Sequence, residues 1–155
     1  MKLSTKGRYG LRAAVDLAMH NGETVALSAI AERQKITVNY LEQIIPKLRK
    51  VGIVNSVRGA QGGYTLAKPP EQISVGDVLR ALEGDLNPVD CKELQSGNSC
   101  VGSDLCITKY VWKRISASIN DAVDHMMLSE LVAEGERLQR EHEVDNSSQR
   151  ANKQE

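Results

Sequence analysis

Leu41, Ile44, Ile45, Leu48 and Val51 recur at spacings of three and four, and the run stops at Gly52. That stripe predicts a helix with one buried face, starting after Thr37 as a side-chain cap. Pro46 sits inside it and lacks an N–H, which predicts a kink or break near Ile45. A β-branched run, residues 53–58, follows at once. Then come Gly59-Ala60-Gln61-Gly62-Gly63 and a second short strand, residues 64–67. Two short strands around a glycine-rich tip read as a hairpin.

Upstream, residues 6–20 carry Leu11, Ala14, Val15, Ala18 and Met19 on one helical face, stopped by Asn21-Gly22. A short helix is expected from Ser28, as N-cap, to about Gln34, burying Ile30 and Ala31. Lys68-Pro69-Pro70-Glu71 reads as a boundary. Beyond it, residues 73–82 predict a helix capped by Ser74 with Gly84 past its end, and residues 85–104 a loop. A long helix over 108–125 presents Val111, Trp112, Ile115, Ile119, Ala122, Val123 and Met126. A last helix, capped by Ser129, holds Leu131, Val132 and Leu138.

The fold expected is mainly α with a small β-hairpin wing: a winged helix-turn-helix plus a long dimerisation helix. Residues 1–68 form the DNA-binding domain. Residues 69–143 hold a linker helix, a cysteine loop (85–107), the dimerisation helix (108–126) and a C-terminal helix. Residues 144–155, polar and without a stripe, are expected to be disordered.

Charge narrows the function. The formal net charge is zero, yet residues 1–68 hold eleven Lys/Arg against four Asp/Glu, while residues 69–155 hold nine against sixteen. A basic half joined to an acidic half predicts a polyanion partner for the first half only. No apolar run reaches the roughly 20 residues that cross a bilayer, and no secretory signal opens the chain, so a cytoplasmic location without membrane contact is expected. The three cysteines are an odd number, against a disulfide framework.

A helix fits the major groove, and a loop beside it reaches an adjacent groove or the phosphates. Asn39, Tyr40, Glu42 and Gln43 on the stripe's exposed side are groups that read base edges: Gln pairs with adenine, and Glu accepts from the cytosine amino group. Ser28 and Lys47 flank them. Arg58 at the tip suits guanine or a narrow minor groove, and Gly59, Gln61 and Gly62 complete that tip. Singly, each is an ordinary exposed position or a plain turn. Their order, on the basic half, points to double-stranded DNA.

Met1-Lys2-Leu3-Ser4-Thr5-Lys6-Gly7-Arg8-Tyr9-Gly10, Asn39-Tyr40-Leu41-Glu42-Gln43 and Ser56-Val57-Arg58-Gly59-Ala60-Gln61-Gly62-Gly63-Tyr64 together resemble the IscR-type family of bacterial winged-helix regulators, named for control of iron–sulfur cluster assembly. The likeness runs over about residues 1–132, through Ser74-Val75-Gly76-Asp77-Val78, the cysteine loop and Trp112, to Leu128-Ser129-Glu130-Leu131. It implies a homodimer on a partly palindromic operator, mainly repressing. It places base reading on Tyr40, Glu42, Gln43 and Arg58, with Asn39 where Ser is common. Glu42, a carboxylate facing DNA, would select among operators rather than add affinity.

Cys91, Cys100 and Cys106 lie within sixteen residues of loop. Thiolates are soft donors for iron–sulfur clusters or zinc, although the Cys-x-x-Cys pairs typical of zinc are missing. Three unrelated thiols are the plain alternative. The resemblance implies a cluster here, usually [2Fe–2S]. Where the type member has a His, three residues after its last Cys, this chain has Lys109, and an ammonium cannot ligate iron. The fourth ligand is left open among Asp90, Glu93, Asp104, His20, His125, deprotonated Lys109 and a group from another subunit.

Relatives that sense nitric oxide or cysteine supply would keep the DNA reading and change the signal. A zinc-stabilised interaction module is a further alternative. A metalloenzyme is disfavoured, because no nucleophile–base pair or cofactor motif accompanies the cysteines and no small-molecule substrate is implied.

Overall fold

In the computed structural model the first helix, α1 (Thr5–Met19), starts where Ser4 Oγ accepts from the Gly7 N–H. The structure describes the backbone of residues 3–91 and 105–151, with side chains as far as residue 144. The inner face of α1 is unusually small: Gly7, Gly10, Ala13, Ala14 and Ala18 are buried together with Leu17. Small side chains let a neighbour approach closely, and that neighbour is α4 (Val75–Glu83). A Cβ on Gly10 would overlap the Leu82 side chain.

Helix α2 (Leu27–Gln34) and helix α3 (Val38–Lys50) are joined through Lys35 in the left-handed region, φ 53°, and the buried Ile36. Thr37 caps α3 by accepting from the Tyr40 N–H at 3.3 Å. Leu41, Ile44, Ile45 and Leu48 are all at most 1% exposed, as the stripe predicts. Val51 is 55% exposed, because the chain leaves the helix there.

Two local expectations are corrected. Pro46 does not break α3, which runs through it, although the ring gives up the N–H that would bond Glu42 O and crowds that carbonyl. Ser28 is not a cap. The cap lies two residues earlier, at Ala26, whose extended backbone (ψ 143°) accepts from the Ala29 and Ile30 N–H groups.

The hairpin is as expected: β1 (Val54–Val57) pairs antiparallel with β2 (Gly63–Leu66), Val54 opposite Leu66 and Val57 opposite Gly63. Val25 adds a bridge to Tyr64, with N–H···O distances of 2.9 and 2.8 Å in the two directions. Gly63 permits this, since a Cβ there would overlap the Val25 carbonyl.

After a 3-10 turn (Pro70–Gln72), α4 opens with a reciprocal cap between Ser74 and Asp77. The main core continues past Lys68: Ile73, Val78, Leu82 and Leu128 join Leu17, Ile30, Leu41 and Ile44 in one cluster. Helix α5 (Thr108–Asp124) ends against α4, where the Val75 N–H donates to Met126 O at 2.8 Å and the Leu128 N–H to Ile73 O at 2.9 Å.

Helix α6 (Leu128–Ala151) starts at Leu128, which leaves Ser129 inside it rather than capping it. It also runs to Ala151, into the stretch read as disordered. Its middle is held by local charge, with Arg137 donating to Glu134 and to Glu141 at 2.5 Å each. Its first turns pack Leu128, Leu131 and Val132 on the core, and beyond them such i, i+3 and i, i+4 pairs sustain a helix with little apolar stripe to read.

Candidate nucleic-acid interface and cysteine loop

On α3, Asn39, Glu42, Gln43 and Lys47 are exposed, and Tyr40 is half-buried. Asn39, Glu42, Gln43 and Pro46 share one side at spacings of three and four. The 40/47 pair lies about 100° round the helix from it. At the hairpin, Arg58 and Gln61 are exposed. Gly59 takes φ 115°, and its carbonyl accepts from the Gly62 N–H at 3.0 Å. Gly62 is half-buried, and a Cβ there would stand 2.6 Å from Val57 O. The tip is therefore a tight backbone turn that carries Arg58 outward. Arg49 Nη1 donates to Ser56 Oγ at 3.3 Å, which ties wing to helix. Ser28, on α2, is exposed.

The helix pair is locked from behind by a buried carboxylate. Asp16 of α1 is 2% exposed and accepts from Arg33 Nε at 3.0 Å, Arg33 Nη2 at 2.6 Å and Gln34 Nε2 at 2.9 Å. The Asp16 hydrogen bond raises the Arg33 pKa.

Three α1 residues beside α3 were not singled out from the sequence. The Tyr9 ring meets the Tyr40 ring edge-on at 5.6 Å and 81°. The Arg12 guanidinium lies 5.5 Å from the Tyr9 centroid and donates to the Gln34 carbonyl. Lys6 lies toward Lys47, and charge repulsion between the two lowers the Lys47 pKa. The signal was present as Lys6, Tyr9 and Arg12 at intervals of three.

Of the cysteines, Cys91 is half-buried and Cys106 exposed, and both are free thiols. Cys100, with Glu93 and Asp104, lies outside the described residues. Among the described residues no three His, Cys, Asp or Glu side chains converge as metal ligands. Cys106 Sγ lies 3.3 Å from Thr108 Oγ1. That hydrogen bond, and then the Lys109 N–H, hold the thiol below its ordinary pKa. A thiol that ionises readily suits a soft-metal donor. Lys109 is half-buried, and Asp90 is exposed beside Cys91. His20 Nδ1 lies 2.8 Å from Asp16 O. His125 Nδ1 lies 2.8 Å from Asp121 O, just past the far end of α5. At 1.5 Å per residue that is about 25 Å from Cys106, too far to share a metal within one chain.

Residues 3–134 match the Rrf2 family, described as iron-dependent transcriptional regulator. The chain is 40% identical over 151 residues to the HTH-type transcriptional regulator IscR of Sodalis glossinidius, covering 97% of this chain and 90% of that one. It is 44% identical over 133 residues to the IscR of Pectobacterium atrosepticum, covering 85% and 79%. Among solved structures it is similar to T. potens IscR, at 44% identity and TM-score 0.73, covering 90% and 91%. It is also similar to CymR, the global cysteine regulator of B. subtilis, at 36% identity and TM-score 0.71, covering 86% and 97%.

Proposed function

Because the chain belongs to the Rrf2 family of transcriptional regulators, and is therefore a DNA-binding regulator rather than an enzyme, we propose that it acts as a homodimer on a partly palindromic operator. It mainly represses, and it matches that activity to iron–sulfur supply at genes of cluster assembly. The observation that carries this reading is the exposed polar side of α3 set beside the Arg58 tip, on the basic half of the chain.

In this reading α3 enters the major groove. Gln43 pairs with adenine; Glu42 accepts from cytosine and repels misplaced phosphate, so it selects among operators. Asn39 and Tyr40 complete the base contacts, while Ser28 and Lys47 hold backbone phosphates. Arg58 probes guanine or a narrow minor groove, and the Gly59, Gln61 and Gly62 turn lets backbone approach the duplex.

Dimerisation is supported by α5. Val111 and Ile115 are 44% and 38% exposed, and with the exposed Ala122 they form one apolar row without cover in the single chain. A second copy across a two-fold axis would bury that row and set the spacing of two α3 helices.

Cys91, Cys100 and Cys106 would hold an iron–sulfur cluster, of [2Fe–2S] type, with the fourth ligand supplied by a group other than a protonated Lys109. When bound, the cluster supplies a charge and redox state at the loop that follow iron–sulfur status. The chain's own residues link that loop to the reader. Ser116 Oγ donates to Asn87 Oδ1 at 2.8 Å, which fixes the loop's entry on α5. Arg80 clamps α4 to Asp124 and Asn120 at the other end of α5.

The test is anaerobic purification with a visible spectrum, iron and sulfide analysis, and operator binding with and without cluster. Iron and sulfide, with affinity or site preference that depends on them, support the reading. Equal binding curves on every operator overturn the sensing half. Zinc in place of iron points to a zinc-stabilised module, and absence of salt-dependent DNA binding overturns the whole. The CymR likeness favours a second reading, in which the same DNA reader answers to cysteine supply. Cluster-independent binding that changes with cysteine supply would select it.

A further inference from the structure

Along one strip of α1, Tyr9 meets Tyr40 and Arg12 meets Gln34, in reverse chain order, and the same register carries Lys6, one turn before Tyr9, toward Lys47, two turns beyond Tyr40, whose pKa it lowers. The lower two contacts are attractive, an edge-on ring pair and a guanidinium on a helix-end carbonyl. They fix α1 beside α3. The top contact is two cations facing each other. Among the described residues no carboxylate lies within ion-pair distance of either Lys6 or Lys47. The fold thus holds two like charges together with no anion between them.

Their place on α3 says which anion would fit. Tyr40 and Lys47 are seven residues apart, hence on one side of the helix, about 100° from the side of Asn39, Glu42 and Gln43. Arg49, about 200° from Lys47, is the residue that reaches the wing at Ser56. If the Asn39 side faces base edges, the Lys6–Lys47 pair stands at the groove rim away from the wing, where a backbone phosphate runs.

We propose that Lys6 and Lys47 together grip one DNA phosphate, so that α1 is a third DNA-contacting element beside α3 and the wing. This rests on the reading that α3 enters the major groove. The phosphate lies between the two ammonium groups and turns their repulsion into two attractions. Lys6 thereby contributes sequence-independent affinity and fixes how deeply α3 sits.

The experiment measures binding of the full-length chain to a random-sequence duplex across a salt series, for wild type, Lys6→Gln, Lys6→Arg and Arg8→Gln. Arg8 is exposed on the same helix but about 200° away from Lys6, so it controls for net charge. Lys6→Gln should flatten the plot of log affinity against log salt by up to about 0.9, the share of one phosphate, part of which Lys47 keeps. Lys6→Arg should keep the wild-type slope, and Arg8→Gln should leave it nearly unchanged. Equal flattening by Lys6→Gln and Arg8→Gln would reduce the effect to overall charge and overturn the grip. So would a Lys6→Gln slope equal to wild type. A wild-type chain with no salt-dependent binding would instead remove the underlying DNA reading. Thermal melting of each variant separates loss of contact from loss of fold.

Discussion

Arg80 on α4 binds the Asp124 carboxylate at the end of α5 with both arms, Nη1 to Oδ1 at 2.7 Å and Nη2 to Oδ2 at 2.9 Å. The Arg80 hydrogen bond, more than its charge, holds Asp124 below the ordinary carboxylate range. A carboxylate lowered on folding stabilises the folded state above its unfolded pKa and loses that contribution as pH falls through the folded value. Asp124→Asn should therefore melt below wild type at neutral pH, with the two curves converging in acid. A gap that stays constant with pH would assign the effect to packing. Both side chains are partly exposed, so the shift should also shrink with salt.

Asp16 is the buried counterpart. It satisfies three donors from α2 while 2% exposed, and Arg33, its main partner, is 38% exposed. Removing one member of a fully buried pair costs about 3–5 kcal/mol, and the exposed Arg33 lowers this to roughly 1–3 kcal/mol for Asp16→Asn. Urea unfolding measures it. A loss below about half a kcal/mol, within the range of ordinary surface changes, would show that Asp16 is not what locks α2 to α1.

At the wing, Arg58→Ala should cost roughly 1–3 kcal/mol on specific DNA and little on random duplex. Equal losses on both would make Arg58 a phosphate contact. Glu42→Ala should act differently: affinity for unrelated duplexes should rise while the gap between operators narrows. Competition binding on paired operators reads both.

Ile115→Glu places a charge in the centre of the exposed α5 row. The chain should then run as a monomer by analytical ultracentrifugation. Operator affinity should fall far more than single-site affinity, because two readers no longer act together. A dimer that survives this change would move the interface elsewhere.

Much of this was legible in the sequence, because the signals were local. The α3 stripe, the Thr37 cap, the glycine tip and the span of α5 each depend on neighbours within a few residues. The misreadings share a different cause. Ser28 looked like a cap, but the entry to α2 is set by the Val25 bridge to Tyr64, a partner far along the chain. Ser129 was displaced in the same way, since Leu128 is pinned to Ile73. At Pro46 the well-buried stripe outweighed one missing hydrogen bond. The strip of Lys6, Tyr9 and Arg12 was visible as a spacing, but spacing does not name the helix across from it. Within the cysteine loop, spacing suggested donors, and only the length of α5 separates His125 from them.

The backbone bonds of Val75 to Met126 and of Leu128 to Ile73 bring the start of α4 and the end of α5 to one doorway. The stretch that follows Gly84 leaves from the opposite end of α4, where Leu86 is buried and Asn87 Oδ1 accepts from Ser116 Oγ of α5. Doubling the length of a loop so tethered costs only about 0.6 kcal/mol. On the proposed reading, a change of length there would leave the fold of the reader, locked elsewhere, intact, while a change of chemistry would alter the signal it answers to.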